Sequence, residues 1–136
     1  MQPTGRPQNV NPEELGPARG FSHATVAGDT VWLGGQIGND ATGTVVEPGD
    51  VVAQFTRAIR NVAIALRAAG FNPSDTVKLT YYVTDLTLYK AHLPAIGSAY
   101  RDVFGHHYPA TTLIQVGSLF DAAALVEIDA VAVRRP

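Results

Sequence analysis

The 136-residue chain contains no cysteine. That excludes disulfides, thiolate zinc sites and a thiol nucleophile, and it fits a reducing compartment. Charge is scarce: 16% of the residues are Asp, Glu, Lys or Arg, against roughly 25% in an average globular protein. The net charge is −2. The cations are scattered, with Arg57, Arg60 and Arg67 in one segment, Lys78 and Lys90 alone, and Arg134 and Arg135 at the end. A chain without a basic patch is not built to grip a phosphate backbone, so nucleic acid is not an expected partner. The first twenty residues, MQPTGRPQNVNPEELGPARG, hold no apolar run. Neither a signal peptide nor a membrane span is expected, and the location is read as cytoplasmic. GxSxG, P-loop and dinucleotide motifs are missing too, since GGQIGND lacks the helix those motifs need.

What is present is an apolar pattern, 46% of the chain, long enough for one domain that hides roughly two-thirds of its unfolded surface. Residues 1–15, rich in Pro, Gly, Asn and Gln, predict an N-terminal loop or flexible tail, and 16–136 a single domain. AGDT is a turn signal between two antiparallel strands, about 20–26 and 30–35, the second ending at Gly34-Gly35. Val52, Phe55, Ile59, Val62, Leu66 and Ala69 recur at helical spacing, with Asp50 to cap the start and Gly70 to close the end. The three arginines of that segment fall off the stripe and are read as solvated. Val77, Leu79, Tyr81 and Val83 alternate as one face of a strand. A second helix follows Asp85, with Leu86, Tyr89, Leu93, Ile96, Tyr100 and Val103 or Phe104 as its stripe. Pro94 predicts a break near His92–Leu93. Segments 110–116 and 125–133 are the last strands. Two amphipathic helices in so small a domain cover one face of a single sheet. The other face then needs a partner, which predicts a homo-oligomer.

The chemistry-bearing candidates are few. In LVEIDAVAVRR, residues 125–135, Val126, Ile128, Ala130 and Ala132 share a small apolar face suited to lie under helices. Glu127 and Asp129 share the opposite face with Val131. They are either satisfied structurally or line a polar cleft, because a buried unpaired carboxylate is costly. Thr111, Leu113 and Gln115 share one face of the preceding strand. His23 lies on the face of Phe21, close to Gly34-Gly35, and reads either as a hydrogen-bonded structural residue or as a cleft residue. The adjacent His106 and His107 diverge, and no metal is expected.

GDTVWLGGQIG, VTDL, YRDVFG, HYPATT and LVEIDAVAVRR, in this order, resemble the RidA/YjgF family over about residues 16–135. The resemblance implies a chorismate-mutase-like α+β fold, a single sheet with two helices on one face. It also implies a homotrimer with a central β-barrel and a small-molecule cleft at each subunit interface. It implies cofactor-free hydrolysis of reactive 2-imino or 2-enamino acids. Glu127 matches the family's water-holding glutamate, and Asp129 is then structural. Thr111 stands where active deaminases carry a carboxylate-binding arginine, Phe21 where tyrosine is usual, and Gly34 where a small polar residue is frequent, while Gly35 matches. The second helix is several residues longer than usual around Pro94. The expectation is an atypical RidA-like protein that binds a small metabolite and has the means to hydrolyse it. Glu127 is its catalytic residue, and Phe21, His23, Gly34, Gly35, Thr111 and Leu113 are its substrate-binding set. Two alternatives stay open: a standard enamine/imine deaminase with a substitute cation such as Arg19 or a compensating His23, and a non-enzymatic ligand sensor or interaction trimer.

Overall fold

The computed structural model describes residues 6–134. Residues 1–5 of the expected N-terminal loop, and Arg135, lie outside the described residues. The fold is α+β: one mixed sheet with helices on one face. Its strands are β1 (Gln8–Val10), β2 (Ala24–Ala27), β3 (Thr30–Leu33), β4 (Gln36–Ile37), β5 (Thr76–Val83), β6 (Ala110–Gln115) and β7 (Val126–Val133). They run in the order β1-β2-β3-β7-β5-β6, with β4 also on β7. All pairs are antiparallel except β5–β6.

The helix α1 (Val51–Ala68) forms because its apolar residues recur on one stripe and Asp50 accepts the Ala53 N–H at 2.9 Å. Gly70, at φ 87°, turns the chain away. The second helical segment breaks where Pro94 predicts, into α2 (Leu86–Lys90) and α3 (Leu93–Phe104). Asp85 caps α2 through Leu88 N–H. The break turns Leu93 outward, so it is exposed instead of joining the stripe, while Ala99 is buried. Phe55, Ile59, Val62 and Leu66 of α1 and Ile96, Tyr100 and Phe104 of α3 pack with Val126, Ile128, Ala130 and Ala132 of β7 in one core.

Three further details differ from the sequence expectation. The N-terminal stretch carries β1 and a 3-10 turn, Glu13–Leu15, whose Leu15 is buried, instead of being wholly loop. Val77 does not share the buried face of β5: a bulge between Thr76 and Lys78 puts Thr76 inside and Val77 outside. Arg57 is not simply solvated, because its Nε donates to Asn39 O.

Register decides what faces what. Leu79, Tyr81 and Val83, on the helix side of β5, pair with Thr111, Leu113 and Gln115. Tyr82 and Thr80, on the far side, pair with Glu127 and Asp129 on one flank and Ile114 and Thr112 on the other.

Candidate functional site

A cleft of about 470 Å³ opens beside the start of β7, between the 15–23 segment, β4 and the loop before β7. Arg19, Phe21, His23, Gly35, Phe120 and Glu127 all line it. The sequence-predicted residues Phe21, His23, Gly35 and Glu127 therefore meet in one protomer. Gly34 stands beside them, its N–H bonded to His23 O at 2.9 Å.

Glu127 reaches the cleft because β7 alternates and its even positions are claimed by the core. Burial first, and the nearby Asp129 second, raise its pKa above the usual carboxylate range. Among the described residues no donor reaches its carboxylate, which is free to hold water. Asp129 is engaged elsewhere: it accepts the Tyr82 hydroxyl at 3.0 Å. Burial and that bond raise the tyrosine's pKa.

Gly35 is glycine for a steric reason. A Cβ there would meet the Glu127 side chain, with Cγ 2.7 Å away. The bare backbone thus brings peptide groups against the carboxylate, an approach any larger residue would block. At Gly34 a Cβ would sit 2.8 Å from Ser22 O, so close strand packing demands glycine.

His23 is buried, and both its ring nitrogens are occupied. Nδ1 accepts from the Gln36 amide at 3.1 Å, so Nε2 carries the proton and donates to Gly16 O at 3.0 Å. It meets the exposed Phe21 edge-on, with 5.4 Å between ring centroids. The ring thus acts as a wall that positions Phe21 and Gln36. His92 bonds Leu88 O and His107 bonds Thr76 O, each in its own part of the fold.

Thr111 and Leu113 are not brought to this cleft within one protomer. Their pairing with Leu79 and Tyr81 puts them on the helix side of the sheet, opposite Glu127 and two strands away. Thr111 lines a separate pocket of about 270 Å³ under α3. Its hydroxyl donates to Pro109 O at 2.9 Å, so its only proton is already in use.

Sequence reasoning missed the supports. Two buried amides of α1 hold the cleft walls. Asn61 donates to Ile37 O and Asn39 O, fixing β4, and Gln54 bonds Ala123 O and Leu125 N–H, fixing the loop into β7. Both lie within the helix's apolar surface, and a polar residue buried there is the signal that could have exposed them. Phe120 and Asp121, also lining the cleft, sit in a loop with no pattern to read.

A family profile described as Endoribonuclease L-PSP matches residues 11–134. A 2-iminobutanoate/2-iminopropanoate deaminase of Capra hircus is 31% identical over 125 residues, which is 92% of this chain and 85% of that protein. The solved structure of the YjgF gene product of E. coli superposes with a TM-score of 0.80 at 31% identity, covering 94% of this chain and 99% of that one. The structure of E. coli TdcF with bound serine gives a TM-score of 0.80 at 29% identity, covering 94% and 99%.

Proposed function

This chain belongs to the Endoribonuclease L-PSP family, the RidA/YjgF proteins, and on that premise we propose that it binds a small metabolite in a cleft completed between subunits of a homotrimer. There Glu127 orients the water that hydrolyses a C=N or enamine bond. The observation that carries this reading is the state of Glu127: half-buried, without a donor among the described residues, raised in pKa, and packed over the bare backbone of Gly35. A carboxylate whose pKa is lifted toward neutrality can take a proton from water and return it to a leaving amine. The goat relative, a 2-iminobutanoate/2-iminopropanoate deaminase, is named for chemistry of this type, and the serine bound to the E. coli relative TdcF is a ligand of this size.

Register supports an intersubunit cleft. Thr111 and Leu113 occupy positions that the family resemblance assigns to the same cleft as Glu127, yet they lie on the opposite face of their own sheet. They can share a cleft with Glu127 only across two copies. The ligand is not the small 2-imino acid of a standard deaminase, because Thr111 carries no charge and its hydroxyl is spent on Pro109. A small-molecule role without nucleic acid accords with the net charge of −2. A second reading, a standard deaminase with a substitute cation, is favoured by Arg19, which lines the Glu127 cleft.

The test is turnover of a panel of imines and enamines generated in situ. Glu127→Gln should lower the rate by about 10²-fold or more, the ordinary contribution of a positioned general base. Unchanged turnover in that variant would remove Glu127 from the mechanism. Release of 2-oxobutanoate at high rate, lost in Arg19→Gln, would establish the second reading instead.

A further inference from the structure

The pocket that holds Thr111 has a chemistry of its own. At about 270 Å³ it lies at the small end of ligand sites, which run roughly 300–1,000 Å³. Its floor is aromatic: Phe55 meets Tyr81 and Tyr89 edge-on at 5.6 and 6.2 Å. One wall continues as a stack, with Tyr108 over Tyr100 at 5.6 Å and 16° between planes. Tyr108 is exposed and forms the rim.

The pocket is also lined by polar groups that can donate and that have no partner among the described residues. Tyr81 and Tyr89 are 8% and 4% exposed, yet among the described residues neither hydroxyl has a hydrogen-bond partner. Tyr81, Tyr89 and Tyr100 line the pocket together. Burial pushes Tyr89 up to about 12 and Tyr81 higher still, so both remain protonated donors. Tyr100 is spent on His107 O at 2.6 Å.

Arg101 completes the pocket's lining, and among the described residues its guanidinium has no carboxylate or other partner. It folds back one turn of α3 over Gly97, where a Cβ would sit 3.1 Å from Nη1. A glycine inside a helix weakens it; here it leaves the space that the guanidinium fills. The pocket therefore combines an aromatic floor, two free hydroxyl donors and one unpaired cation. The complementary ligand has a flat apolar body and an anionic group rich in acceptors.

We propose that Arg101 of α3 supplies the cation that Thr111 cannot, and that the aromatic pocket beneath it selects a carboxylate ligand carrying a single aromatic ring. The proposal rests on the intersubunit cleft described above and names the substrate class of that site: 2-imino or 2-enamino acids with an aromatic side chain. Arg101 holds the carboxylate, and the ring lies against the exposed Tyr108 at the pocket mouth, over the floor of Tyr81 and Tyr89. The C=N carbon faces Glu127 of another copy. Water adds to that carbon and one of its protons passes through Glu127 to the nitrogen; the carbinolamine's hydroxyl proton then follows by the same carboxylate as the C–N bond breaks, releasing ammonia and a 2-oxo acid with an aromatic side chain.

Two stable acids and one pair of substrates test this on the full chain. By calorimetry, 3-phenylpropanoate should bind at least ten-fold more tightly than butanoate. Arg101→Gln should lose at least ten-fold in 3-phenylpropanoate affinity, Arg101→Lys should lose less, and Arg60→Gln, an exposed position of α1 outside both clefts, should stay within two-fold of the wild type. Hydrolysis of the imine made from phenylalanine should exceed that of the imine made from alanine, with Arg101→Gln acting mainly on KM. Equal binding of the two acids, no binding of either, or an unaffected Arg101→Gln variant would overturn the proposal. Glu127→Gln separates the two readings, for it should bind 3-phenylpropanoate as the wild type does while losing turnover. If that variant keeps turnover, the hydrolytic reading fails. If it loses turnover while Arg101→Gln is unaffected, only the Arg101 inference fails.

Discussion

Glu127 is held in an environment that disfavours its charged form, and that has a consequence for stability. Burial first and Asp129 second raise its native pKa, whereas the unfolded chain restores the ordinary carboxylate value, about 4.3. Between the two, the native state keeps the proton and the unfolded state releases it. Stability contributed at this residue therefore falls as pH rises through that window. Glu127→Gln does not titrate. Its urea midpoint should match the wild type's below pH 4 and rise above it progressively as pH climbs toward neutrality. A constant offset at every pH would mean that Glu127 is not strained in the free protein. Its partner Gly35 shows the same compromise from the other side, with backbone freedom accepted so that a peptide unit can lie against a carboxylate.

At the scale of the elements, α1 does more than fill the core. Asn61 spans from the helix to Ile37 O and Asn39 O, at 3.0 Å each, and so holds β4, only two residues long, against β7. Removing the amide leaves two carbonyls without that donor in a buried setting, a loss on the order of 1–3 kcal/mol. Asn61→Ala should therefore lower stability by about that amount and speed hydrogen exchange at β4 more than at β5. Uniform loss of protection would show that Asn61 supports the fold generally and not this wall of the cleft. The same elements show what was legible. The apolar period, Asp50, Gly70 and Pro94 specify α1, α2 and α3 because helix signals are local. β1 and β4 were missed because strands of two or three residues present no period to read. Alternation places Thr111 and Leu113 on one face but cannot say which, since facing is set by pairing with β5 across the sheet. Glu127, Gly35 and Phe21 were singled out by the family resemblance and His23 by its place beside Phe21 and the glycine pair, and the four line one cleft. Arg101 was not, for its significance arises only when α3 folds it over Gly97 beside Thr111.

For the whole molecule, the question is what covers the surfaces that one chain leaves open. All six residues of the edge strand β6 are exposed. On the sheet face away from the helices, Trp32, Ile114 and Val133 are 47%, 48% and 38% exposed. An uncovered edge next to exposed apolar side chains invites association, and natural proteins retain such a surface where a partner occupies it. Ile114 sits in the row Glu127–Tyr82–Ile114, so it belongs to the same face as the catalytic candidate without touching it. It is the residue through which assembly can be broken while the site chemistry is left in place. If the proposed homotrimer is correct, light scattering should give three times the 14.4 kDa chain mass for the wild type. Ile114→Asp, which sets a carboxylate in the apolar contact, should shift the mass toward one chain with the far-ultraviolet dichroism retained. Its turnover should fall with the mass, because a lone chain keeps Glu127 on one face and Thr111 on the other. A monomeric variant of full activity would mean that a single chain builds the whole site, and a monomeric wild type would remove the shared cleft altogether.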